Sequence, residues 1–156
     1  MSGANYSVSI NDAAIKTRLN ELLASATDLT PVFASIGEML LISHDERFSK
    51  QVSPDGSAWT PLSEDYKQRK KKNADTILTL NSILRGSLTY QASSTDLLFG
   101  TPMEYGAIHQ FGGTPTMRPQ NAAIQQREWL GVSQDDRSEI LIMLHDHLMQ
   151  TSVHQN

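Results

Sequence analysis

The feature that most constrains the fold is a helical spacing of apolar residues early in the chain. The apolar residues of this stretch, four, three, one and three positions apart, are Ile15, Leu19, Leu22, Leu23 and Ala26. Because an α-helix turns once every 3.6 residues, this spacing places them on one stripe. Asn11 and Asp12 stand just before it, and either side chain suits the position that caps a helix start. We therefore predict a capped amphipathic helix.

A second helix is predicted to begin at Thr30-Pro31 and to run to about Phe48. A hydroxyl followed by proline is typical of a helix start, since proline at the first helical position loses no hydrogen bond. The residues predicted to face inward are Val32, Phe33, Ile36, Met39, Leu40 and Ser43. This face is wide enough to contact more than one element, and we expect the first two helices to lie side by side and antiparallel.

Two regions alternate apolar and polar residues, which is the pattern of half-buried strands. The first is a short strand near the start of the chain, with Tyr6, Val8 and Ile10 on one face. The second predicts a β-hairpin, with Leu88, Tyr90 and Ala92 in one strand, a turn at residues 93–96 and the other strand at residues 97–99. Turn-forming serine, threonine and aspartate separate the two strands of the hairpin.

Four further helices are predicted: a polar one from Thr60 or Ser63, a short buried one from Ile77 to Gly86, one from Glu104 to Gln110 and a last one after Ser133. In the last helix the inward residues are Ile140, Leu141, Leu144 and Leu148. The predicted fold class is α+β, with helices packed on a small, mostly antiparallel sheet. A single domain over residues 1–156 is expected, with a flexible loop near 113–119 and a frayed C-terminal tail.

Composition excludes several classes of protein. The chain is 38% hydrophobic and 19% charged, as in globular rather than disordered proteins. It has no cysteine, so disulfides and thiolate chemistry are excluded. The longest apolar run, Ile140 to Leu144, is far shorter than the roughly 20 residues that span a bilayer. The residues from Met1 to Tyr6 lack the order of a signal peptide, and we expect a cytosolic protein without membrane contact.

Charge is distributed unevenly along the chain. Five of the thirteen basic residues fall within six positions, namely Lys67, Arg69, Lys70, Lys71 and Lys72. The C-terminal segment is acidic and carries Asp135, Asp136, Glu139 and Asp146 against Arg137. Two interpretations stay open: the opposite charges steer docking between molecules, or each is a solvated helix face. Nucleic-acid contact is disfavoured because the net charge is −4.

Histidines are the candidates for chemistry. His109 has Glu104 and Tyr105 nearby in sequence, but no serine stands in a nucleophile motif, so a structural or interface role is favoured over general-base catalysis. His145 and His147 are two positions apart, which directs their rings about 200° apart around a helix. A shared metal site is therefore disfavoured. No cofactor is predicted, since Gly112-Gly113 lacks the lysine and hydroxyl of a phosphate-binding loop.

Three segments resemble the phage virion morphogenesis family, which includes tail-completion proteins of P2-like phages and the corresponding protein of Mu-like phages. The first has Ser53-Pro54-Asp55-Gly56 followed by Trp59 and Pro61-Leu62-Ser63, and the second is Ile83-Leu84-Arg85-Gly86-Ser87-Leu88. The third has Phe99-Gly100-Thr101, then Tyr105-Gly106-Ala107-Ile108-His109-Gln110-Phe111-Gly112-Gly113 and Arg127-Glu128-Trp129-Leu130-Gly131-Val132-Ser133. The family usually places proline and arginine before the Leu-Gly step, whereas here Arg118-Pro119 lies upstream.

The resemblance implies a non-catalytic protein that completes the tail or joins it to the head, active in the host cytoplasm and retained in the virion. By analogy it implies a ring of copies, with six fitting the tail symmetry. The residues predicted to contact tail or neck proteins or other copies are Trp59, Tyr105, His109, Phe111, Arg118 and Trp129. Each tryptophan is equally well interpreted as a core residue. The arm from Gly113 to Pro119 is predicted to order on a neighbour.

Three alternatives stay open. The protein is a morphogenesis chaperone that leaves the finished particle, a DNA-contacting neck protein that uses the basic run, or a hydrolase that uses His109.

Overall fold

The computed structural model describes residues 12–25, 28–64, 68, 83–112 and 125–153. The helices in this part of the chain are α1 (Ala13–Ala24), α2 (Thr30–Lys50), α3 (Ile83–Gly86), α4 (Glu104–Phe111) and α5 (Gln134–Val153). The strands there are β1 (Thr89–Ala92) and β2 (Leu97–Gly100), which form an antiparallel hairpin. The α+β class is thereby confirmed. The strand predicted at residues 6–10 and most of the helix predicted after Ser63 lie outside the described residues.

Capping side chains determine where the first two helices begin. The Asp12 carboxylate accepts hydrogen bonds from the backbone N–H groups of Ala14 and Ile15 at 3.0 and 3.2 Å. The Asp28 carboxylate does the same for Thr30, at 3.0 Å from its N–H and 2.6 Å from its hydroxyl. These carboxylates satisfy donors that a helix start leaves unpaired. Helix α2 continues two residues beyond the predicted Phe48 and ends where Gln51 takes a φ of 57°.

The hairpin has the predicted strands and turn. Tyr90 pairs with Phe99 and Ala92 with Leu97 in its register. The turn is stabilised by Ser93, whose N–H donates to the Asp96 carbonyl at 2.8 Å and whose hydroxyl oxygen accepts from the Asp96 N–H at 3.0 Å. Local hydrogen bonding by serine thus makes the reversal that the sequence predicted.

The chain divides into two compact units. The first, which we call the aromatic unit, comprises Met1–Val8, His44–Leu88 and Thr101–Gly131. The second, which we call the aliphatic unit, comprises Ser9–Ser43, Thr89–Gly100 and Val132–Asn156.

The aliphatic unit is built from α1, most of α2, the hairpin and α5. Its buried core consists of Leu22, Leu29, Val32, Phe33, Ile36, Leu40, Ile140 and Leu144. Helix α1 contacts α5, and an ion pair joins Asp12 to Arg137 there. A Cβ on Gly37 would lie 2.5 Å from the Tyr90 ring, so glycine is needed for the ring to rest on α2. The Tyr90 hydroxyl then donates to Glu38 at 2.7 Å.

The start of α5 carries a reciprocal cap. The Asp136 N–H donates to the Ser133 hydroxyl oxygen at 3.0 Å, and the Ser133 N–H donates to the Asp136 carboxylate at 3.0 Å. The Ser43 hydroxyl donates to the same buried carboxylate, which ties the helix start to α2. The predicted inward residues of α5 behave as expected, with Ile140 and Leu144 buried and Leu141 and Leu148 partly buried.

The aromatic unit has a different core. Its buried residues are Phe48, Trp59, Leu84 and Trp129. Phe48 meets Trp59 edge to face, with ring centroids 5.5 Å apart, and lies 6.1 Å from Trp129 in a tilted arrangement. Offset and edge contacts of this kind are favoured by the charge distribution of aromatic rings. Throughout the described residues, no helix combines the length and the apolarity that crossing a membrane requires.

Candidate functional site around Trp129

The indole ring of Trp129 lies at the centre of the aromatic unit with 2% of its surface exposed. Its N–H donates to the Gly106 carbonyl at 2.8 Å. A Cβ on Gly106 would lie 2.7 Å from the Thr101 methyl carbon and 3.2 Å from the indole. Glycine at this position of α4 therefore lets the ring lie directly against the helix.

Gln110 holds the backbone on either side of this tryptophan. Its side-chain oxygen accepts from the N–H groups of Trp129 and Leu130, at 3.0 and 2.9 Å. Its side-chain nitrogen donates to the Leu130 carbonyl at 3.0 Å. Gln110 is buried, and its amide takes the place that a neighbouring strand would have in a sheet. We call residues 125–131, which contain Trp129 and Leu130, the clamped segment.

The last turns of α2 bind the end of the clamped segment. The Arg47 guanidinium donates to the carbonyls of Trp129 and Gly131 at 2.8 and 3.1 Å. The Gly131 N–H donates to His44 Nε2 at 3.3 Å, so this nitrogen carries no proton. Both side chains are buried, at 4% and 1% exposure. Gly131 has a φ of 155°, and a Cβ there would lie 2.8 Å from Pro54. Both the backbone conformation and the close contact therefore favour glycine.

The start of the clamped segment is bound by other parts of the same unit. The Arg127 guanidinium donates to the Thr60 and Pro61 carbonyls at 2.8 and 3.3 Å. The Arg127 N–H donates to the His109 carbonyl at 2.7 Å. The indole N–H of Trp59 donates to the Glu128 carbonyl at 2.8 Å. The clamped segment lies in no helix or strand, so its backbone polar groups need other partners. Side chains of the same unit provide most of them.

His109 is neutral near pH 7. Burial lowers the pKa of this imidazole to about 4, and the positive charge of Arg127 adds to the effect. Its Nδ1 is buried and has no hydrogen-bond partner among the described residues. A base with a pKa about 4 is poorly matched to proton abstraction near pH 7. This pKa therefore disfavours a general-base role for His109.

The residues predicted as contacts occupy different environments. Trp59 and Trp129 are buried, at 4% and 2% exposure. Of the two roles left open for each tryptophan, the structure shows the core role. Phe111 is 51% exposed at the end of α4, and His109 is partly buried. The Tyr105 side chain and the whole of Lys67, Arg69, Lys70, Lys71, Lys72 and Arg118 lie outside the described residues. Their roles at an interface stay predictions.

Sequence reasoning assigned no role to three residues of the site. Gln110 stands in the string from Tyr105 to Gly113, but no sequence pattern indicates its partner. No pattern singles out His44 or Arg47 as functional residues. A signal for the last two was present, because they follow Leu40 at steps of four and three and so continue the buried stripe of α2. A polar residue at such a position requires a buried partner. Which partner it binds is not encoded locally.

Residues 10–149 match the sequence profile of the phage virion morphogenesis family. The chain belongs to this family. It is 30% identical over 140 residues to protein G of Escherichia phage Mu, which is named for capsid assembly; the match covers 87% of this chain and 89% of that protein. It is also 30% identical over 141 residues to Mu-like prophage FluMu G protein 2 of Haemophilus influenzae, covering 90% and 94% of the two chains. A comparison with solved structures found no match.

The chain is therefore one of a family of phage assembly proteins. The strings that carried the family resemblance are also the strings that make the site. Tyr105 to Gly113 contains Gly106 and Gln110, and Arg127 to Ser133 contains most of the clamped segment. The resemblance therefore lies largely in residues that fix the conformation of the aromatic unit.

Proposed function

We propose that this chain is a structural, non-enzymatic subunit that completes the phage tail or joins it to the head, and that it does so as a ring of identical copies. It acts in the host cytoplasm during assembly and stays in the virion. Membership of the virion morphogenesis family supports a role in assembly. The proposal of a structural, non-enzymatic role rests on which groups the polar side chains of the site bind.

The observation that carries the proposal is that the buried polar side chains around Trp129 bind the chain's own backbone. Gln110, Arg47 and the Trp129 indole each donate to a carbonyl of the aromatic unit at 2.8 to 3.1 Å. Catalytic groups have to point at a substrate and change their hydrogen bonds during a reaction. Groups bound in this way serve to hold a shape, and a shaped surface is what an assembly subunit needs.

A backbone hydrogen bond of the site brings together the two ends of one chain segment. The chain leaves α4 after Phe111 and returns where the Arg127 N–H binds the His109 carbonyl at 2.7 Å. The arm predicted at residues 113–119 lies between these points and outside the described residues. We propose that the arm contacts a neighbouring subunit or a tail protein. Fixed ends lower the entropy that such an arm loses on binding.

A ring is proposed because the tail has rotational symmetry, and a contact between two different faces closes into a ring when the rotation fits. Light scattering of the purified chain, alone and with tail tubes or neck proteins, tests it. We expect one closed oligomer of constant mass, formed alone or on the template, and a constant copy number in purified virions. A chain that stays monomeric with every partner and is absent from virions would instead be a morphogenesis chaperone.

The proposal that the protein is not an enzyme has its own test. A His109→Ala variant should complement a phage that lacks the gene to full infectivity, provided that the variant folds. Loss of infectivity by a folded variant that still assembles into particles would favour the hydrolase alternative.

A further inference from the structure

Helix α5 exposes two large apolar side chains on one line. Ile142 and Met149 each have 53% of their surface exposed, while Ile140 and Leu144 on the other side of the helix are buried. Positions seven apart lie almost above one another after two turns, about 10 Å along the axis. Single exposed apolar residues are ordinary, but these two are aligned on one helix face, with the exposed His145 and Asp146 in the turn between them, and we call this line the apolar strip.

Carboxylates run beside this strip. Asp135, Glu139 and Asp146 are exposed, and the last two lie three positions before and four positions after Ile142. Residues at these spacings are neighbours on a helix surface. The single Lys or Arg within α5 is Arg137, and it is ion-paired with Asp12 instead. We call the five residues Asp135, Glu139, Ile142, Asp146 and Met149 the α5 face.

The chemistry of the α5 face selects its partner. An apolar strip with negative charge along it binds a segment that is positively charged and offers aliphatic stems, which lysine and arginine side chains provide. The sequence contains such a segment in residues 67–72, with five positive charges in six positions. Its charge is opposite to that of the α5 face.

We infer that the α5 face docks residues 67–72 of a second copy of this chain. The inference rests on the proposed ring, since each subunit then offers one acidic and one basic surface to its two neighbours. Such a contact between unlike surfaces repeats from copy to copy and closes into a ring. It also makes assembly sensitive to ionic strength, because exposed charges are screened over about 8 Å at physiological salt.

Charge reversal with complementation tests the contact. The paired change Glu139→Lys with Asp146→Lys should weaken self-association at least about tenfold, because it sets lysines against lysines. Adding Lys70→Glu and Lys71→Glu to the same chain should restore it. Restoration excludes misfolding as the cause of the first loss. The matched control is Glu21→Lys with Glu46→Lys, which makes the same change in net charge at exposed positions of α1 and α2 and should leave association unchanged.

The apolar strip is tested by Ile142→Ser with Met149→Ser, which should also weaken association about tenfold or more. Ile42→Ser is the control, because Ile42 is 63% exposed on α2 and lies outside the α5 face. Both are measured by light scattering of the full chain over a range of concentrations and salt. A stable ring that neither charge reversal nor the double serine variant weakens would overturn the docking alone. A wild-type chain that is monomeric alone and with tail tubes would overturn the docking and the ring together.

Discussion

The aliphatic unit and the aromatic unit hold their backbones in different ways. In the described part of the aliphatic unit the chain is almost entirely helix and hairpin, and several polar contacts lie at helix starts, as with Asp12 and Asp136. In the aromatic unit an irregular segment, residues 125–131, is bound by Gln110, Arg47 and the indole of Trp59. The first unit depends on burial of many similar hydrocarbons, and the second depends on a few directed hydrogen bonds.

This difference predicts a different response to mutation. Hydrocarbon burial contributes roughly 25 cal/mol per Å², so one shortened side chain costs in proportion to what it loses. A buried hydrogen-bonding group that loses its partner costs about 1–3 kcal/mol, because it is left desolvated. Changes of similar size should therefore be more damaging in the aromatic unit.

The largest effect is expected for Trp129→Ala. It removes the largest fully buried side chain of the described residues and the hydrogen bond from its indole N–H to the Gly106 carbonyl, so the free energy of unfolding should fall by about 4–6 kcal/mol. Leu144→Ala in the aliphatic unit should cost about 2–4 kcal/mol. Urea denaturation followed by circular dichroism measures both. Equal losses would break the distinction between the two units.

The next effect in size is that of Gln110→Ala, which leaves two N–H groups and one carbonyl of the clamped segment without their partner. We expect a loss of about 3 kcal/mol, larger than burial of the side chain alone explains. The control is Gln126→Ala, an exposed glutamine of the same segment whose side chain donates one hydrogen bond to the Gln110 carbonyl at 3.1 Å, and it should change stability by no more than about 1 kcal/mol. A Gln110→Ala variant as stable as the control would show that water replaces the amide.

Close approach to a glycine should matter equally in both units. Gly37→Ala sets a methyl group 2.5 Å from the Tyr90 ring, and Gly106→Ala sets one 2.7 Å from Thr101. Each should cost about 1–3 kcal/mol, since a packed neighbour has to move. Gly86→Ala, at the last residue of α3 and with no atom within 4 Å of the added methyl group, is the control. Destabilisation by this control would assign the effect to backbone conformation instead of packing.

A smaller effect is expected from pH. Because the pKa of His109 falls from 6.5 to about 4 on folding, the unfolded chain binds a proton in this interval that the folded chain does not. The free energy of unfolding should therefore decrease by about 2 kcal/mol as the pH drops from 6.5 to 4, and then level off for this group. His109→Ala should remove that part of the pH dependence in urea titrations at pH 7, 6 and 5.

Asp12 and Asp45 lose their contributions to stability only below pH 3.8, because hydrogen bonds from Arg137 and Arg85 lower the pKa of each carboxyl group.

The smallest effect on stability is expected for deletion of Thr114 to Met117 from the proposed arm. Since the ends of its segment are fixed by Arg127 and His109, the free energy of unfolding should change by no more than about 0.5 kcal/mol. Assembly into particles should nevertheless be lost. Unchanged particle yield would remove the arm from the proposed interface, and a large loss of stability would make it part of the fold.

The elements predicted correctly from the sequence are those that depend on residues close together in the chain. The stripe from Ile15 to Leu23 and the cap at Asp12 predicted α1, and the alternation around Tyr90 predicted β1, which pairs with β2. The end of α4 was placed within one residue, because Gly112 follows Phe111. For Trp59 and Trp129 the same reasoning left two roles open, since a large aromatic residue beside a loop suits a core and an interface equally.

The amino-acid sequence by itself determined the helices, the hairpin and the family, because each depends on periodicity, capping or strings of adjacent residues. Only the tertiary structure decided which polar side chains hold residues 125–131. The reason is distance along the chain: Arg47 and His44 bind carbonyl and amide groups 82 to 87 positions away. Such bonds form only after hydrophobic burial has brought α2 and the clamped segment together, and no local pattern records the pairing.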